Sequence, residues 1–259
     1  MQISKPSVSI LMLTYNRALF ISEAIASVIA QTFTDWELTI IDDGSTDDTA
    51  TIVAQFADPR IHYITHETNA GLFARRAESL RYATEKYTAI LDSDDYWTDA
   101  HKLAKQVSFL DSNPEYVVIG TGTVIVNKEG ATIGTTTYAQ TDALIRKAIL
   151  ARNQFTHSSV VFKTDALLKT LGYQPTLAED LELILQLGQF GKFANLNDIY
   201  TAHRVHSGSQ NDHGIKMARA VHHIITVHKD QYPGYLTALM VSYSRLLRAK
   251  IKSLFTLVR

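Results

Sequence analysis

Three carboxylates stand within four residues at the end of an apolar segment. Asp92, Asp94 and Asp95 follow residues 87–91, which read YTAIL. Carboxylates this close together raise one another's pKa unless a cation lies among them. Mg²⁺ and Mn²⁺ prefer oxygen ligands and keep positions open for phosphate oxygens. The cluster therefore favours a site for a divalent cation and a diphosphate, although a D-x-D pattern alone also fits a solvated turn or a helix cap.

Two further polar clusters follow apolar segments of strand type. TYNR occupies residues 14–17, and DDGS occupies residues 42–45. Parallel strands end at a common edge of their sheet, where ligands bind in open α/β folds. We expect these loops and the acidic cluster to meet there, with Asp42 placed to accept a hydrogen bond from a nucleotide base. Ser45 and Asp48 form a capping-box-like start for the next helix.

An acid pair, Glu179 and Asp180, opens an apolar helical segment in the sequence LAEDLEL. Acids are favoured in the first turn of any helix, so this placement alone does not indicate catalysis. A carboxylate there could also take a proton as a general base. Histidines at positions 157, 203 and 206 fit either ligand binding or a hydrogen-bonded position in a loop or at a strand end.

Strands and helices alternate along the first hundred residues. The strands are apolar on both faces, which is typical of parallel strands covered by helices. We predict an α/β fold with a mostly parallel, Rossmann-like central sheet flanked by helices. Farther along, we expect an extended segment over residues 155–162, a helix over residues 179–190 and helical structure after residue 208.

Composition excludes several classes of protein. The 259 residues are 46% hydrophobic and 20% charged, as in an ordinary globular protein. A net charge of −1 does not indicate a nucleic-acid partner, and the absence of cysteine excludes disulfides and thiolate metal sites. We find no signal peptide and no segment long enough to span a membrane. We therefore expect a cytoplasmic protein, with peripheral contact to the inner face of the membrane as an option for its last helix.

Five motifs, taken in order, resemble those of the family 2 glycosyltransferases of GT-A fold. They read VSILMLTYNR, IIDDGSTDDT, NAGLFARR, AILDSDDYW and LAEDLEL, and the resemblance covers roughly residues 7–210. It implies an inverting enzyme that moves a sugar from a nucleotide-diphosphate donor to an acceptor hydroxyl, with Mn²⁺ or Mg²⁺ as cofactor. The family's habits favour UDP as the carrier and a saccharide or lipid-linked acceptor in surface polysaccharide or glycolipid assembly.

The resemblance also implies an organisation of the chain. Residues 1–100 would form a nucleotide-sugar-binding half, and residues 101–212 would form an acceptor-binding and catalytic half of the same domain. Residues 213–259 would form a helical C-terminal extension.

Individual roles follow from the matched positions. Nucleotide binding is implied for Thr14, Tyr15, Asn16, Asp42, Asn69, Arg76, Asp92 and Ser93. Metal binding is implied for Asp94, Asp95 and His206, and acceptor contact is assigned to His157. Asp180 would be the general base on the acceptor hydroxyl, and Glu179 would position the acceptor or the base.

The chain departs from the family pattern at three positions. Arg75 and Ala77 replace the alanine and asparagine that usually flank the arginine at position 76, and we interpret Arg75 as a charge on the helix surface. His203 stands where an aromatic residue is more usual, whereas Arg204, His206 and Ser209 match the family pattern of this segment.

The last segment combines an apolar stripe with basic residues. At helical spacing lie Leu236, Leu239, Met240, Tyr243, Leu247, Ile251, Leu254 and Val258. The bases, with no acid among them, are Arg245, Arg248, Lys250, Lys252 and Arg259. Such a helix could lie on an anionic membrane surface. We favour packing on the catalytic domain or in a homodimer contact, because core-facing stripes are more common.

Three other functions stay open as alternatives. A sugar nucleotidyltransferase of related fold would need a glycine- and lysine-rich loop after the first strand, and TYNRALF contains neither residue. A glycosidase would use paired carboxylates but would not need nucleotide-type loops. A nucleotide-binding module without turnover would not need both Asp94 and Asp180. The glycosyltransferase interpretation is therefore favoured.

Overall fold

The computed structural model describes residues 7–206 and 214–257. The strands are β1 (Val8–Thr14), β2 (Trp36–Asp42), β3 (Ile61–Thr65), β4 (Tyr87–Ile90), β5 (Tyr96–Trp97), β6 (Tyr116–Val126), β7 (Thr132–Thr136), β8 (Val161–Lys163) and β9 (Lys192–Arg204). The helices are α1 (Ile21–Ile29), α2 (Thr49–Val53), α3 (Leu72–Ser79), α4 (Lys102–Ser112), α5 (Asp142–Ile149), α6 (Thr164–Leu167), α7 (Glu179–Leu187), α8 (Gly214–Val227) and α9 (Tyr235–Leu257). The predicted alternation of strands and helices is therefore present.

One mixed sheet runs through the described chain. Its strand order is β3-β2-β1-β4-β8-β6-β9-β5, with β7 paired to β6. The first four strands are parallel because a helix connects each to the next along the chain. β8 is antiparallel to both β4 and β6, whereas β9 is parallel to β6. The α/β class with flanking helices is confirmed, but the mostly parallel sheet is limited to the first half of the fold.

The register of the parallel strands places their polar ends side by side. Thr14 of β1 pairs with Asp42 of β2, and Leu11 aligns with Ile90 of β4. Every residue of β1 is buried, because its side chains alternate between two hydrophobic clusters on the two faces of the sheet. The loops after β1, β2 and β4 consequently open at one edge, as the strand pattern predicted.

Two segments differ from their predicted structure. Residues 155–162 are not one extended segment, because a 3₁₀ turn at His157–Ser159 precedes the short strand β8. This turn places the Ser158 carbonyl oxygen 2.9 Å from the Trp97 indole nitrogen. Strand β9 was not predicted from the sequence. Its residues 197–199 are exposed and two of them are polar, so they interrupt the apolar pattern of the strand.

The C-terminal extension contains the packed helices α8 and α9. Ala238 and Ser242 of α9 are buried, and the Ser242 hydroxyl lies 3.0 Å from Nδ1 of His222 on α8. The apolar stripe, for which we favoured packing on the catalytic domain or in a homodimer contact, is exposed over much of its length in the described chain. Its exposed members are Leu236, Met240, Tyr243 and Leu247. Periodicity identifies the residues that share a helix face, but it does not identify what covers that face.

A few predicted features lie outside the described residues. They are Ser209, Val258 and Arg259, together with the side chains of Ile251, Lys252 and Leu254. Among the helices that the structure describes, none is both long and apolar enough to cross a membrane.

The lysine that begins α4 is buried. Lys102 has no exposed surface; its Nζ donates to Gln106 Oε1 at 2.7 Å and lies 4.2 Å from the centroid of the Trp97 ring. The Gln106 amide donates in turn to the main-chain oxygens of Ile119 and Ser159, at 3.1 and 2.9 Å. Burial holds the pKa of Lys102 well below its ordinary value of 10.5, because a charged amine is poorly solvated there.

We expect the wild-type chain to gain stability relative to Lys102→Met as the pH rises from about 7 towards about 10. In the window between the lowered folded pKa and the ordinary value, the unfolded chain holds a proton on Lys102 that the folded chain lacks, so folding is favoured as protons become scarcer. The measurement is the free energy of unfolding in urea across that range. Lys105→Met is the control, because Lys105 is an exposed lysine of the same helix that contacts Tyr200. A difference between wild type and Lys102→Met that stays constant with pH would contradict the lowered pKa.

Candidate active site

A cleft of about 580 Å³ opens where the loops after β1 and β4 face the first turn of α7. The predicted site residues that line it are Thr14, Tyr15, Asn69, Arg76, Asp92, Ser93, Asp94, Asp95, His157, Glu179 and Asp180. Asn16, Asp42 and His206, which the structure also describes, are not on its walls. The fold therefore gathers residues from all five motifs and from both predicted halves of the domain around one cavity.

Asn16 and Asp42 support the loops of the cleft and do not reach into it. Asn16 has a left-handed φ of 53°, which asparagine tolerates; its N–H donates to Ser45 Oγ and its side chain accepts from the Thr46 N–H, both at 2.8 Å. Asp42 is 2% exposed and accepts from the Ser45 N–H and the Tyr63 hydroxyl. Neither residue lines the cleft, so the described contacts give no support to the predicted nucleotide contacts of these two side chains, which stay predictions. Ser45 does not cap α2, which has no side-chain cap.

Asp43, the second aspartate of DDGS, reaches the cleft instead. Its carboxylate accepts from the N–H groups of Ala70 and Gly71, each at 2.8 Å, and from Arg75 Nε at 2.7 Å. A carboxylate has about four acceptor positions, so one is left for a ligand. The interpretation of Arg75 as a surface charge is wrong, because its side chain is only 12% exposed and pairs with both Asp43 and Glu78.

Asp92 belongs to an ion-pair network in the wall of the cleft. Nη2 of the buried Arg76 donates to Asp92 Oδ1, and Nε of the same guanidinium lies 3.9 Å from Glu179 Oε1. His157 Nδ1 lies 3.8 Å from Asp92 Oδ2, and its Nε2 lies 2.9 Å from the Tyr173 hydroxyl. Burial alone would raise the pKa of Asp92, but Arg76 and His157 hold it well below its usual range. Asp92 is therefore an ionised, fixed carboxylate.

Asp94 lies between a guanidinium and an imidazole. Its Oδ2 is 3.3 Å from Arg17 Nε and 3.0 Å from His206 Nε2. The His206 ring packs on Phe20, with ring centroids 5.0 Å apart. The Asp94 side chain is 20% exposed and lines the cleft, so its carboxylate is accessible to a ligand there.

The surroundings of Asp94 fit a divalent cation held by few protein ligands. In the described part of the chain, no group of three or more His, Asp or Glu residues is arranged to hold a metal ion. Asp94 and His206 nevertheless bring a carboxylate oxygen and an imidazole nitrogen to the same place, and such cations are often held by one or two carboxylates together with substrate phosphates. These two residues are therefore the ones that could hold Mn²⁺ or Mg²⁺.

Asp95 is the buried carboxylate of the acidic cluster. It is 2% exposed; its Oδ2 accepts from the Ser158 hydroxyl at 2.5 Å and its Oδ1 from the Arg204 N–H at 2.8 Å. Both oxygens lie 3.2 Å from His203 Nδ1. Burial raises the pKa of Asp95; burial alone would lower the pKa of His203, but the Asp95 carboxylate raises it to about 9. Both Asp95 oxygens thus already have partners within the protein, so the described contacts give no support to the metal role predicted for Asp95, which stays a prediction.

The acid pair lies in the first turn of α7, as predicted. Glu179 is 8% exposed, and burial together with the charge of Asp180 raises its pKa. Asp180 is half-buried in the cleft wall, and its Oδ2 accepts from the Asn153 side-chain amide at 3.0 Å. Within the described structure its Oδ1 has no donor, so one oxygen is fixed and the other can accept a proton.

Three buried polar atoms at the cleft have no hydrogen-bond partner among the described residues. They are Thr14 Oγ1, Arg76 Nε and His157 Nδ1. Buried polar atoms in folded proteins nearly always have a partner, so these three are exceptions, although the Glu179 and Asp92 carboxylates lie 3.9 and 3.8 Å from Arg76 Nε and His157 Nδ1.

Several cleft residues were missed by the sequence reasoning. They include Arg17, Asp43, Arg204, Tyr138 and Phe155. Arg17 and Asp43 lie inside quoted motifs, and Arg204 lies between His203 and His206, so a position beside a predicted site residue could have identified all three. Asn153 lies in none of the motifs, and only the fold brings it to Asp180.

Comparison with known proteins identifies the family. Residues 9–170 match the model of glycosyl transferase family 2. The Escherichia coli protein WfgD, named as a UDP-Glc:α-D-GlcNAc-diphosphoundecaprenol β-1,3-glucosyltransferase, is 41% identical over 120 residues. That segment is 46% of this chain and spans about half, 47%, of WfgD.

Two solved structures have the same fold. Staphylococcus aureus TarS in complex with UDP-GlcNAc has a TM-score of 0.67 at 21% identity, over 92% of this chain and 72% of the TarS chain. The Pyrobaculum calidifontis mannosyltransferase PcManGT, in complex with GDP-Man and Mn²⁺, has a TM-score of 0.68 at 18% identity, over 96% of this chain and 76% of its own. The chain thus belongs to glycosyl transferase family 2, and the GT-A fold and the glycosyltransferase class predicted from its motifs are confirmed.

Proposed function

We propose that the protein transfers a sugar from a nucleotide-diphosphate donor to an acceptor hydroxyl, with inversion at the anomeric carbon. The observation that carries this proposal is the presence of Asp180 and Asp94 in one cleft, since the transfer needs a general base and a site for the diphosphate in the same cavity. UDP is the proposed carrier, because the name of WfgD includes UDP-Glc and TarS binds UDP-GlcNAc.

The nucleotide would bind among the loops after β1, β2 and β3. We assign the base contact to Asp43 in place of Asp42, because the Asp43 carboxylate lines the cleft with an acceptor position left. The Tyr15 ring is 41% exposed at the cleft and could lie against the base. The unpaired Thr14 hydroxyl and the side chain of Asn69 offer further polar contacts.

The diphosphate would bind beside Asp94. Asp94 and His206 would hold Mn²⁺ or Mg²⁺, which supplies positive charge to the leaving diphosphate when bound. The manganese in PcManGT supports this proposal. Asp92, fixed by Arg76, and the buried Ser93 would face the ribose side of the donor.

The reaction would proceed as a single displacement. The acceptor hydroxyl gives its proton to Asp180 while its oxygen bonds to the anomeric carbon, and the electrons of the breaking sugar–oxygen bond leave with the nucleoside diphosphate. The amide of Asn153 orients the Asp180 carboxylate. Glu179, with its raised pKa, would hold the acceptor or the base in position.

The acceptor would enter on the side of the second half of the chain, beside His157. The name of WfgD, which includes an N-acetylglucosaminyl diphospholipid acceptor, supports a lipid-linked saccharide and hence a place in surface polysaccharide or glycolipid assembly. We retain residues 1–100 as the donor half and residues 101–212 as the acceptor half in this proposal.

We expect Asp43→Asn to weaken UDP binding at least tenfold while Asp42→Asn leaves the affinity within about twofold. Asp42→Asn should instead lower the free energy of unfolding by about 1–3 kcal/mol, because the Tyr63 hydroxyl and the Ser45 N–H lose a charged acceptor. Calorimetric titration with UDP and Mn²⁺, paired with urea unfolding, measures both. A loss of affinity confined to Asp42→Asn would restore the original assignment.

We expect UDP to raise the thermal unfolding midpoint with Mn²⁺ present and to lose this effect in EDTA. Asp94→Asn should weaken the metal-dependent shift, because it removes the carboxylate charge that lies beside His206 and lines the cleft. Asp111→Asn is the control, because Asp111 is a surface aspartate paired with Lys86. A UDP shift that is equal with Mn²⁺ and with EDTA would remove the metal from the proposal.

We expect Asp180→Asn to lower turnover at least a hundredfold with unchanged UDP affinity, because an amide cannot take the acceptor proton. Asp165→Asn, at an exposed aspartate of α6, is the matched control. The assay is release of nucleoside diphosphate from UDP-glucose, UDP-GlcNAc or GDP-mannose, with N-acetylglucosaminyl diphospholipid as acceptor. Turnover of Asp180→Asn within about threefold of wild type would place the base elsewhere.

A further inference from the structure

Helix α9 has an apolar face that the described chain leaves uncovered. We call Leu236, Met240, Tyr243 and Leu247 the α9 stripe; their exposed fractions are 72%, 66%, 58% and 61%. The spacing of these residues places them on one side of the helix. The opposite side, with Ala238 and Ser242, is buried against α8. Four large apolar side chains in a row are more than the scattered exposure that is ordinary on a protein surface.

Positive charge is concentrated on the same two helices. Between residues 214 and 250 the bases are Lys216, Arg219, Lys229, Arg245, Arg248 and Lys250. Asp230 is the single acid in that range, and α9 contains none. The whole chain has a net charge of −1, so the rest of the molecule has an excess of acids. An apolar stripe bordered by bases is the pattern of a helix that lies in the interface of an anionic bilayer.

We propose that the α9 stripe docks the protein on the surface of an anionic lipid bilayer. The stripe would enter the boundary between headgroups and acyl chains, and Arg248 and Lys250 beside it would contact lipid phosphates. A second copy of the chain is a poorer occupant. A symmetric contact through α9 would bring the same bases together with no acid of α9 to pair them, and like charges across an interface oppose association.

The position of the stripe also suits the proposed acceptor. Met217 of α8 lines the active-site cleft, and α8 packs on α9 through His222 and Ser242. Helices α8 and α9 therefore connect the α9 stripe to the cavity in which a lipid-linked saccharide must react. This part of the inference rests on the proposed function, whereas binding to lipid vesicles does not.

The test is sedimentation of the full chain with vesicles of phosphatidylcholine alone or with about one third phosphatidylglycerol. We expect binding to the anionic vesicles, weakened by salt, and little binding to phosphatidylcholine alone. Met240→Gln/Leu247→Gln should reduce binding to the anionic vesicles at least tenfold. The matched control is Thr237→Gln/Ser244→Gln, which makes the same number of neutral changes at exposed positions of α9 outside the stripe and should bind as the wild type does.

Two outcomes would overturn the proposal. One is equal binding of the two double variants to anionic vesicles. The other is a wild-type dimer in solution that Met240→Gln/Leu247→Gln dissociates, which would make the stripe a contact between copies. The UDP affinity is measured for the wild type and for both double variants. If the protein has no nucleotide site, none of the three binds UDP. If only the membrane proposal is wrong, all three still bind UDP.

Discussion

The structure depends on neutralising three aspartates in four residues. Each carboxylate of the cluster has its own cationic partner, and each partner comes from a different part of the fold. The pairs are Asp92 with Arg76 of α3, Asp94 with Arg17 of the loop after β1, and Asp95 with His203 of β9. Uncompensated like charges at this spacing would be costly in a partly buried site. The sheet must therefore be assembled across both halves of the chain before the acidic loop can be stable.

The three pairs differ in burial, and this difference divides their roles. Asp95 has almost no exposure and is held by its partners on every side, so it fixes the loop to the second half of the domain. The buried Arg76 joins Asp92 to the acid pair of α7. Asp94 and Arg17 are the pair in which both side chains are partly exposed, at 20% and 26%, whereas each of the other two pairs has one buried member. A partly solvated ion pair is weakly held, so Asp94 is the carboxylate that can exchange its partner for a ligand.

Charge is also unevenly distributed over the rest of the molecule. Acids and arginines meet at the cleft, whereas bases outnumber acids on the α8–α9 pair. The two regions meet at the first turn of α8, where Met217 touches the cleft. A chain with almost no net charge thus has a cleft of paired acids and bases and a separate basic region on α8 and α9, and each is suited to a different partner.

The sequence motifs predicted the fold class and the meeting of their loops in one cleft. Polar loops after apolar parallel strands must open at a common edge, so motifs far apart in the chain were correctly expected in one cleft. Local patterns could not decide which neighbouring side chain faces inward. Asp42 and Asp43 differ by one position on a strand end, where successive side chains point to opposite faces, and only the packing of Tyr63 and Arg75 decides which of them reaches the cleft.

Which polar atoms already have hydrogen-bond partners within the protein depends on the tertiary structure. Asp95 and Asn16 match the motifs, yet hydrogen bonds from residues distant in sequence or from the neighbouring loop engage them. Asn153 belongs to no motif and meets Asp180 only through the fold. The apolar periodicity of the α9 stripe was visible in the sequence, but its exposure was not. Periodicity identifies the residues that share a helix face and does not identify what covers that face. Hydrogen-bond pairing and burial depend on contacts between distant residues, and a local sequence pattern does not contain them.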